Sequence, residues 1–419
     1  MNARKNAFKK LGHFVKSYFK YRKSVDNYGF HIKECKKVKS CDAPKKVVFL
    51  INFPESWNSV KSIYAESQKL SNVETYVLAV PQMNDENRKC PDIRDIENAA
   101  YDFFVQNNIE AIKANQNGEW FDLGSINPDY VIYTRPYNVS YPEAYKSFNV
   151  CRYSKIFYIP YAYSMLGGEM IYGVLPEEFI LSTHKVFLAN ESRKNECIET
   201  FPCYNNRNRY EYLGFPRFDL YNSGNEERQD SRFTIAWMPR WTTNDLSERQ
   251  KSSHFLSYYK DFLEYAEKNP DVKIIIRPHP KMFNHYLTTG ILSQEEVDAF
   301  DERCKKSGNV FIDRDRDYIN TIKNSDVLVA DYTSLIAEFF MTGKPIVFCD
   351  TADGLNPEGE RICSNLYYAE SFSQVIEKIS AIQNGNDVDF AKRKSIIREL
   401  LPENSGGIGK KILETIVNS

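Results

Sequence analysis

The sequence lacks the short motifs that identify the common nucleotide-binding and metal-binding proteins. It contains neither a GxGxxG nor a GxxxxGK[ST] segment, so a dinucleotide fingerprint and a phosphate-binding P-loop are both missing. Its nine cysteines are scattered and none forms a CxxC pair, which gives no indication of a zinc site or a thioredoxin-like centre. Cysteines used in this way fit a reducing cytoplasm best.

Long apolar runs and a strong net charge are missing as well. No apolar stretch approaches the roughly 20 residues that a membrane-spanning helix needs, and no apolar region follows the basic N-terminus as it would in a secretion signal. The formal net charge of −1 argues against nucleic acid as a partner. At 419 residues the chain is too long for one compact core, so we expect two domains.

Acidic residues are absent from the first 25 positions, where basic residues are frequent. A basic helix with an apolar face is typical of proteins that lie on an anionic membrane, where each basic residue contributes about 1 kcal/mol. An amphipathic helix packed on its own domain explains the same pattern. We expect residues 1–43 to form a separate N-terminal segment and residues 1–25 to contact a membrane. The apolar positions at helical spacing are Phe8, Leu11, Val15 and Tyr18.

Apolar, strand-like runs alternate with helical segments in both halves of the chain. Continuous apolar strands between helices predict a parallel sheet that is covered on both faces. A polar segment at 221–231 is interpreted as a linker. The pattern therefore predicts two Rossmann-like domains that face a cleft. Ligands are expected beyond the carboxyl ends of the strands. The expected domains are 44–220 and 232–385, followed by C-terminal helices at 386–419. Strand candidates in the second half are 233–237, 272–276, 309–312, 327–330 and 346–348.

A first candidate site segment, Arg277-Pro278-His279-Pro280, directly follows one of these strands. The two prolines restrict the backbone, so Arg277 and His279 are held at the strand end. Arginine binds phosphate through two parallel hydrogen bonds. Histidine titrates near neutral pH and can donate a proton to a leaving phosphate. The alternative is a proline-bounded turn with a histidine that faces solvent.

In a second candidate segment, residues 325–334, the sequence predicts a strand, then a polar turn and then the start of a helix. Thr333 and Ser334 fall where free backbone N–H groups and the helix dipole favour an anion. Asp331, at the end of the strand, is a candidate substrate-binding residue. Glu338 lies one turn into the helix, where it is placed to accept bonds from ribose hydroxyls. A role for Thr333 or Ser334 as a helix cap alone explains the same residues.

Two further arginines lie at candidate strand ends or turns. Arg240, in the segment Trp-Met-Pro-Arg-Trp, ends the first strand of the second half. Arg217, in the segment Gly-Phe-Pro-Arg-Phe-Asp at 214–219, precedes the linker. Both are placed to reach the cleft. A surface arginine beside a packed tryptophan, and a tight turn between domains, are the structural alternatives.

In these four segments the sequence resembles the CDP-glycerol glycerophosphotransferase family, which builds teichoic acids and related polymers. The segments occur in the family's order over roughly the second half of the chain. The resemblance implies a GT-B fold, with two Rossmann-like domains around a central cleft, in which the first domain takes the acceptor and the second binds the CDP-linked donor. The residues that it implies hold the nucleotide diphosphate are Arg277, His279, Thr333, Ser334 and Glu338.

The first half departs from the family's pattern. Family members carry a Trp-His-Gly segment whose histidine is taken as the base, whereas this chain has no histidine between Tyr158 and Glu169. Glu169 is our candidate base, because burial can raise the pKa of a glutamate towards neutral pH; Tyr161 and Tyr163 are weaker candidates. A Gly-Gly turn with a solvated Glu169 is the alternative. The acidic cluster at 313–317 is interpreted as a helix-capping loop, and we expect no metal and no cofactor.

The sequence therefore predicts a transferase that moves glycerol phosphate, or a similar polyol phosphate, from a CDP-linked donor to a hydroxyl of a cell-surface glycan or lipid-linked acceptor. CMP would be released, with His279 assisting its departure and the arginines neutralising the diphosphate. The basic N-terminal segment would hold the enzyme on the inner face of a bacterial membrane. The alternatives are a GT-B glycosyltransferase that uses a nucleotide sugar, and a non-catalytic scaffold that binds nucleotide or polymer.

Overall fold

The chain is divided into two structural units. The computed structural model describes residues 2–35, 43–81, 83, 99–167, 175–205, 208–222, 230–241, 253–349, 354–401 and 407–419. The first unit comprises residues 1–219 and 403–419, and the second comprises residues 220–402. The expected N-terminal segment is thus part of the first unit, and the expected C-terminal helices are divided between the two. The expected linker lies largely outside the described residues.

The first unit is built on a parallel sheet in which the strands run in the order β3-β2-β1-β6-β7-β8-β9. Leu50 of the central strand pairs with Leu78 on one side and Tyr133 on the other. Residues 47–51 of that strand are fully buried, as expected for a sheet covered on both faces. The strands of this unit, including the separate antiparallel pair β4-β5, are β1 (Lys45–Ile51), β2 (Val73–Ala79), β3 (Ile112–Lys113), β4 (Asn115–Gln116), β5 (Glu119–Trp120), β6 (Tyr130–Tyr133), β7 (Lys155–Tyr158), β8 (Lys185–Phe187) and β9 (Tyr210–Glu211).

The second unit contains a parallel sheet in the order β12-β11-β10-β13-β14-β15. Trp237 in its centre pairs with Ile276 and with Val329, and its ring packs on Phe262 in the core. Both sheets are parallel and buried on both faces, so the predicted fold class of two Rossmann-like α/β domains is confirmed. The strands are β10 (Phe233–Met238), β11 (Val272–Ile276), β12 (Val310–Ile312), β13 (Val327–Ala330), β14 (Ile346–Phe348) and β15 (Tyr367–Tyr368).

Helices connect these strands throughout the described residues. Two helices precede the first sheet, and the last helix returns to the first unit after the second unit is complete. The α-helices are α1 (Asn2–Lys20), α2 (Arg22–Cys35), α3 (Lys61–Ser67), α4 (Ala99–Gln106), α5 (Ser147–Val150), α6 (Glu177–Ser182), α7 (Glu191–Thr200), α8 (Asp219–Asn222), α9 (Phe255–Lys268), α10 (Met282–Thr288), α11 (Gln294–Ser307), α12 (Ile319–Asn324), α13 (Leu335–Phe340), α14 (Pro357–Cys363), α15 (Phe372–Gln383), α16 (Phe390–Leu400) and α17 (Ile408–Val417).

The returning helix α17 is capped by Asp219, the last residue of the 214–219 segment. The two carboxylate oxygens of Asp219 accept the backbone N–H groups of Ile408 and Gly409 at 2.9 and 2.7 Å. A carboxylate at a helix N-terminus satisfies free N–H groups and complements the helix dipole. The buried face of α17, which includes Ile412 and Ile416, packs against α3. This part of the 214–219 segment therefore stabilises the fold of the first unit.

Helix α1 packs on the first unit through one side. Glu177 accepts hydrogen bonds from Ser17 at 2.9 Å and contacts Nε2 of His13 at 2.7 Å, and Phe14 packs edge-on against Tyr204. The predicted apolar positions lie on another side and are exposed. No helix of the described residues combines the length and apolar character needed to cross a bilayer. The exposed apolar side chains are Phe8 (74%), Leu11 (48%), Val15 (44%), Tyr18 (38%) and Phe19 (67%).

Candidate functional site

The candidate site lies at the carboxyl edge of the second sheet. The strand order reverses between β10 and β13, and ligands of open α/β sheets bind in the crevice beyond such a switch point. Arg240 follows β10, Asp331 follows β13, and Arg277 follows the neighbouring strand β11. The topology therefore brings three of the predicted site segments to one edge of one sheet.

Asp331 holds two loops of this edge together. Its side chain is 1% exposed, and its Oδ2 atom accepts the backbone N–H groups of Arg240 at 2.8 Å and His254 at 3.1 Å. Its Oδ1 atom lies 2.6 Å from Nδ1 of His254. Asp331 was expected from the sequence to bind substrate, whereas in the structure its carboxylate is hydrogen-bonded to groups of the protein. His254 was not identified from the sequence, because it belongs to no recognisable motif.

His279 is held as a neutral hydrogen-bond donor. Its Nδ1 accepts the backbone N–H of Lys281 at 3.2 Å, so the proton of the neutral ring resides on Nε2. The residue is exposed by surface area, but one face of its ring is covered by Trp241, with the ring centroids 5.7 Å apart. Burial of the ring, with the nearby charges of Lys281 and Arg240, lowers the pKa of His279 to about 4. At neutral pH the ring is therefore uncharged and carries its proton on Nε2, which can serve as a hydrogen-bond donor.

Trp241 is surrounded by basic side chains. The Lys281 ammonium lies 5.6 Å from the centre of its ring, and the His285 ring approaches edge-on at 5.4 Å. Lys281 and His285 were missed in the sequence, although they follow His279 closely and flank the start of α10. Together with Arg240 they form a basic cluster beside His279, which suits a ligand that carries more than one negative charge.

Arg277 makes structural contacts through its guanidinium. Its Nη1 forms an ion pair with Asp313 at 2.7 Å, and its Nη2 donates to the carbonyl oxygen of Asp315 at 2.6 Å. The guanidinium also lies over the ring of Tyr318. The predicted phosphate ligand thus fixes the loop at 313–317. Asp317 in that loop accepts the N–H of Ile319 at 3.0 Å at the start of α12, in agreement with the predicted capping role.

The other predicted donor ligands differ in accessibility. Thr333 is half-buried and Ser334 is exposed just before α13, and Thr333 Oγ1 accepts the Leu335 N–H only at 3.4 Å. Glu338 is fully buried. Its carboxylate accepts the hydroxyl of Tyr318 at 2.9 and 3.0 Å and that of Tyr221 at 2.7 Å. The structure therefore leaves Thr333 and Ser334 open to a ligand and uses Glu338 to fix two tyrosines.

The predicted residues of the first half lie in the first unit or outside the described residues. Arg217 is 4% exposed and donates from Nη2 to the carbonyl oxygen of Glu55 at 2.8 Å, which is a structural contact. Tyr163 is buried and packs on Phe215. Tyr161 is half-buried. The candidate base Glu169 lies outside the described residues.

Comparison with solved structures shows what this fold resembles. The wall teichoic acid polymerase TagF superposes with a TM-score of 0.57 and 16% identity, over 99% of this chain and 97% of that chain. The UDP-GlcNAc 2-epimerase from Neisseria meningitidis, bound to UDP-GlcNAc, superposes with a TM-score of 0.56 and 14% identity, over 89% of this chain and 100% of that chain. At such low identities these likenesses concern the fold alone. A search of curated proteins gives no match.

A family model matches residues 182–418, which is more than half of the chain and includes all four motif segments. Its description is CDP-Glycerol:Poly(glycerophosphate) glycerophosphotransferase. The match begins within the first unit and extends through the whole second unit. The resemblance expected from the sequence is thereby confirmed, and the chain belongs to the CDP-glycerol:poly(glycerophosphate) glycerophosphotransferase family.

Proposed function

We propose that this enzyme transfers glycerol phosphate from CDP-glycerol to a hydroxyl of a lipid-linked or cell-surface glycan acceptor, with CMP as the leaving group. Family membership supports the CDP-glycerol donor and the transferase reaction. The observation that carries the assignment of the donor site is the basic cluster beyond the ends of β10 and β11, beside the switch point, where His279, Lys281 and Arg240 lie close together. A diphosphate is the part of the donor that such a cluster binds best.

In the proposed reaction the acceptor oxygen attacks the phosphorus that bears glycerol. The new O–P bond forms as the bond from that phosphorus to the CMP oxygen breaks, and the acceptor proton passes to a base. Negative charge then builds on the CMP phosphate. Arg240 and Lys281 neutralise this charge, while the neutral His279 donates a hydrogen bond from Nε2. The hydroxyls of Thr333 and Ser334 supply further donors.

Three of the remaining predicted residues, Asp331, Arg277 and Glu338, act indirectly in this proposal. Asp331 positions the backbone of Arg240, and Arg277 holds the loop at 313–317 through Asp313. Glu338 fixes Tyr318, the ring on which Arg277 packs. Glu169 remains the candidate base on the acceptor side.

The donor assignment is tested by incubating the purified enzyme with CDP-glycerol and a lipid-linked glycan extract while the released nucleotide is identified. We expect acceptor-dependent release of CMP that falls at least about 100-fold in Arg240→Met and His279→Ala, since both remove stabilisation of developing charge. Arg303→Met is the matched control, because Arg303 is a half-buried arginine of the same unit that pairs with Glu267. Diphosphate release from nucleotide sugars, without CMP release, would instead support glycosyl transfer.

We further propose that α1 rests on an anionic bilayer, which would hold the enzyme at the inner face of the membrane. Its exposed apolar side has a row of exposed lysines beside it, and basic side chains next to an apolar stripe suit such a surface. Three lysines at about 1 kcal/mol each add a salt-sensitive attraction to the apolar contact. The lysines of this row are Lys9, Lys16 and Lys20.

Membrane contact is tested by sedimentation with vesicles of phosphatidylglycerol and of phosphatidylcholine. We expect binding to the anionic vesicles alone, weakened at least about tenfold by Leu11→Glu and by high salt. Val388→Glu is the control, because Val388 is equally apolar and 73% exposed in the second unit. Equal binding of the wild type and Leu11→Glu would contradict the proposal.

A further inference from the structure

The first sheet has its own switch point, which the donor chemistry does not use. Its strand order reverses between β1 and β6, as the order of the second sheet does between β10 and β13. The pair formed by Leu50 and Tyr133 fixes the register there. Asn52 and Arg135 each lie two residues beyond that pair, at the carboxyl ends of the two strands. Ligands of open α/β sheets bind at this position.

Arg135 is a buried cation at this edge. It is 7% exposed, and its guanidinium lies 5.4 Å from the ring centre of Phe53 and 5.6 Å from that of Tyr137. Its Nη1 atom is buried without a hydrogen-bond partner, and Arg135 takes part in none of the ion pairs of the described residues. An unpaired buried charge lowers stability, and an anion bound at the guanidinium would offset this cost.

The other buried arginines of the first unit are compensated. Arg193 pairs with Glu196 and donates to the carbonyl oxygen of Leu166 at 2.6 Å. Arg209 and Arg217 donate to backbone carbonyl oxygens of Ile180 and Glu55. Each of these three also has a buried Nε atom without a hydrogen-bond partner, but each binds the protein through another guanidinium nitrogen, as Arg135 does not within the described part of the chain.

Asn52 is a second buried polar residue at this edge, and one of its hydrogen-bonding atoms is not used. It is 1% exposed, and its amide nitrogen donates to the carbonyl oxygen of Ser140 at 3.1 Å. Its Oδ1 atom is buried and has no hydrogen-bond partner among the described residues. An amide oxygen accepts hydrogen bonds from hydroxyl groups. The edge thus offers a site for an anion beside a site for a hydroxyl donor.

We propose that Arg135 and Asn52 form a binding subsite for a polyol phosphate, in which Arg135 binds the phosphate and Asn52 Oδ1 accepts a polyol hydroxyl. Both residues lie outside the segment that matches the family model. The assignment of this subsite to the acceptor rests on the proposed function. In that case Arg135 and Asn52 would be the residues that select a phosphorylated acceptor, such as the poly(glycerophosphate) that the family description names, over a neutral glycan.

The test measures the binding of sn-glycerol 3-phosphate, inorganic phosphate and glycerol to the full chain by calorimetry, with no donor present. We expect glycerol phosphate to bind more tightly than inorganic phosphate, and glycerol to bind weakly. Arg135→Met should weaken glycerol phosphate binding at least about tenfold, since it removes a charge-assisted pair of hydrogen bonds. Arg135→Lys should weaken glycerol phosphate binding by an intermediate amount, because lysine keeps the charge but lacks the planar guanidinium that donates two parallel hydrogen bonds.

Arg209→Met is the matched control for a buried arginine with a partner. We expect it to lower the melting temperature, whereas Arg135→Met should leave the melting temperature unchanged or raise it. A loss of melting temperature in Arg135→Met equal to that in Arg209→Met, with unchanged ligand affinity, would overturn the proposal. Equal affinity of the wild type for glycerol phosphate and inorganic phosphate would overturn the part assigned to Asn52.

Binding without donor also separates this inference from the proposed function. If CDP-glycerol proved not to be the donor, binding of glycerol phosphate that depends on Arg135 would still be measured. If CMP release from CDP-glycerol occurred with normal acceptor saturation in Arg135→Met, the donor assignment would stand and the subsite would fall.

Discussion

Replacing Asp331 by asparagine separates a positioning role from direct contact with the donor. The side chain keeps its size, but one acceptor oxygen becomes an N–H donor that faces the groups now bonded to the carboxylate. Those groups are the backbone N–H of Arg240, the backbone N–H of His254 and its Nδ1, at 2.8, 3.1 and 2.6 Å. Hydrogen bonds to a charged group contribute about 1.5–3 kcal/mol each. Breaking one buried pair costs about 3–5 kcal/mol.

We therefore expect Asp331→Asn to lower the free energy of unfolding of the second unit by about 3–5 kcal/mol, a large part of the 5–15 kcal/mol typical of folded proteins. Urea denaturation of the wild type, Asp331→Asn, His254→Gln and the double variant measures the loss. The double-mutant cycle should give a coupling energy of at least about 1 kcal/mol, because the two side chains are in contact. CDP affinity, measured by calorimetry, should fall in both single variants because the loop that carries Arg240 is released.

A different outcome would refute this reasoning. If Asp331→Asn were as stable as the wild type and still lost CDP binding, while His254→Gln bound CDP normally, the carboxylate would contact the donor. That was the role expected for Asp331 from the sequence.

Three further predictions concern His279, Asp313 and Gly409. Because the pKa of His279 is lowered to about 4, this residue should add no inflection near 6.5 to the pH profile of kcat/KM. The stability that its neutral ring provides should be lost as pH falls from 6.5 towards 4. An inflection near 6.5 that disappears in His279→Gln would contradict this prediction. Asp313→Asn should lower the free energy of unfolding, measured by urea denaturation, by about 3 kcal/mol, since Arg277 loses its ion pair. It should also raise the KM for CDP-glycerol. An unchanged free energy of unfolding would refute this prediction. Gly409→Ala should lower the free energy of unfolding by about 1–3 kcal/mol, because the added Cβ would lie 2.6 Å from Oγ and 2.8 Å from the carbonyl carbon of Ser62. Gly12→Ala is the control: its Cβ would have nothing within 4 Å, so this change should be neutral or stabilising.

The sequence predicts the second sheet more closely than the first. The expected strands at 272–276, 327–330 and 346–348 coincide with β11, β13 and β14, because long apolar runs bounded by polar or proline residues leave little ambiguity. Edge strands such as β9 and β15 have only two residues, too few to show a period. In the first unit, the segment between β1 and β2 is divided into a 3₁₀ turn, Pro54–Ser59, and the short helix α3.

For the candidate site, the sequence indicates which residues lie at strand ends, but it does not show what each side chain contacts. Arg240 and His279 lie where they were expected. Arg277 and Glu338 also lie near the expected edge, yet their polar atoms are engaged by Asp313 and by two tyrosines. A polar residue at a strand end serves equally well to bind a ligand or to fix a loop. His254 reaches Asp331 across 77 positions of sequence, and no local pattern reveals such a pairing.

The path of the chain through its two units affects how the protein is made. Helix α17 covers α3 and is capped by Asp219, but it is synthesised more than 300 residues after α3. At the usual ~5–20 residues per second, the ribosome needs roughly 15–60 s or more to cover that distance. During that time the apolar surface of α3 that α17 later covers has no partner from its own chain. A nascent chain stalled within the second unit would therefore expose an unfinished first unit to chaperones and proteases.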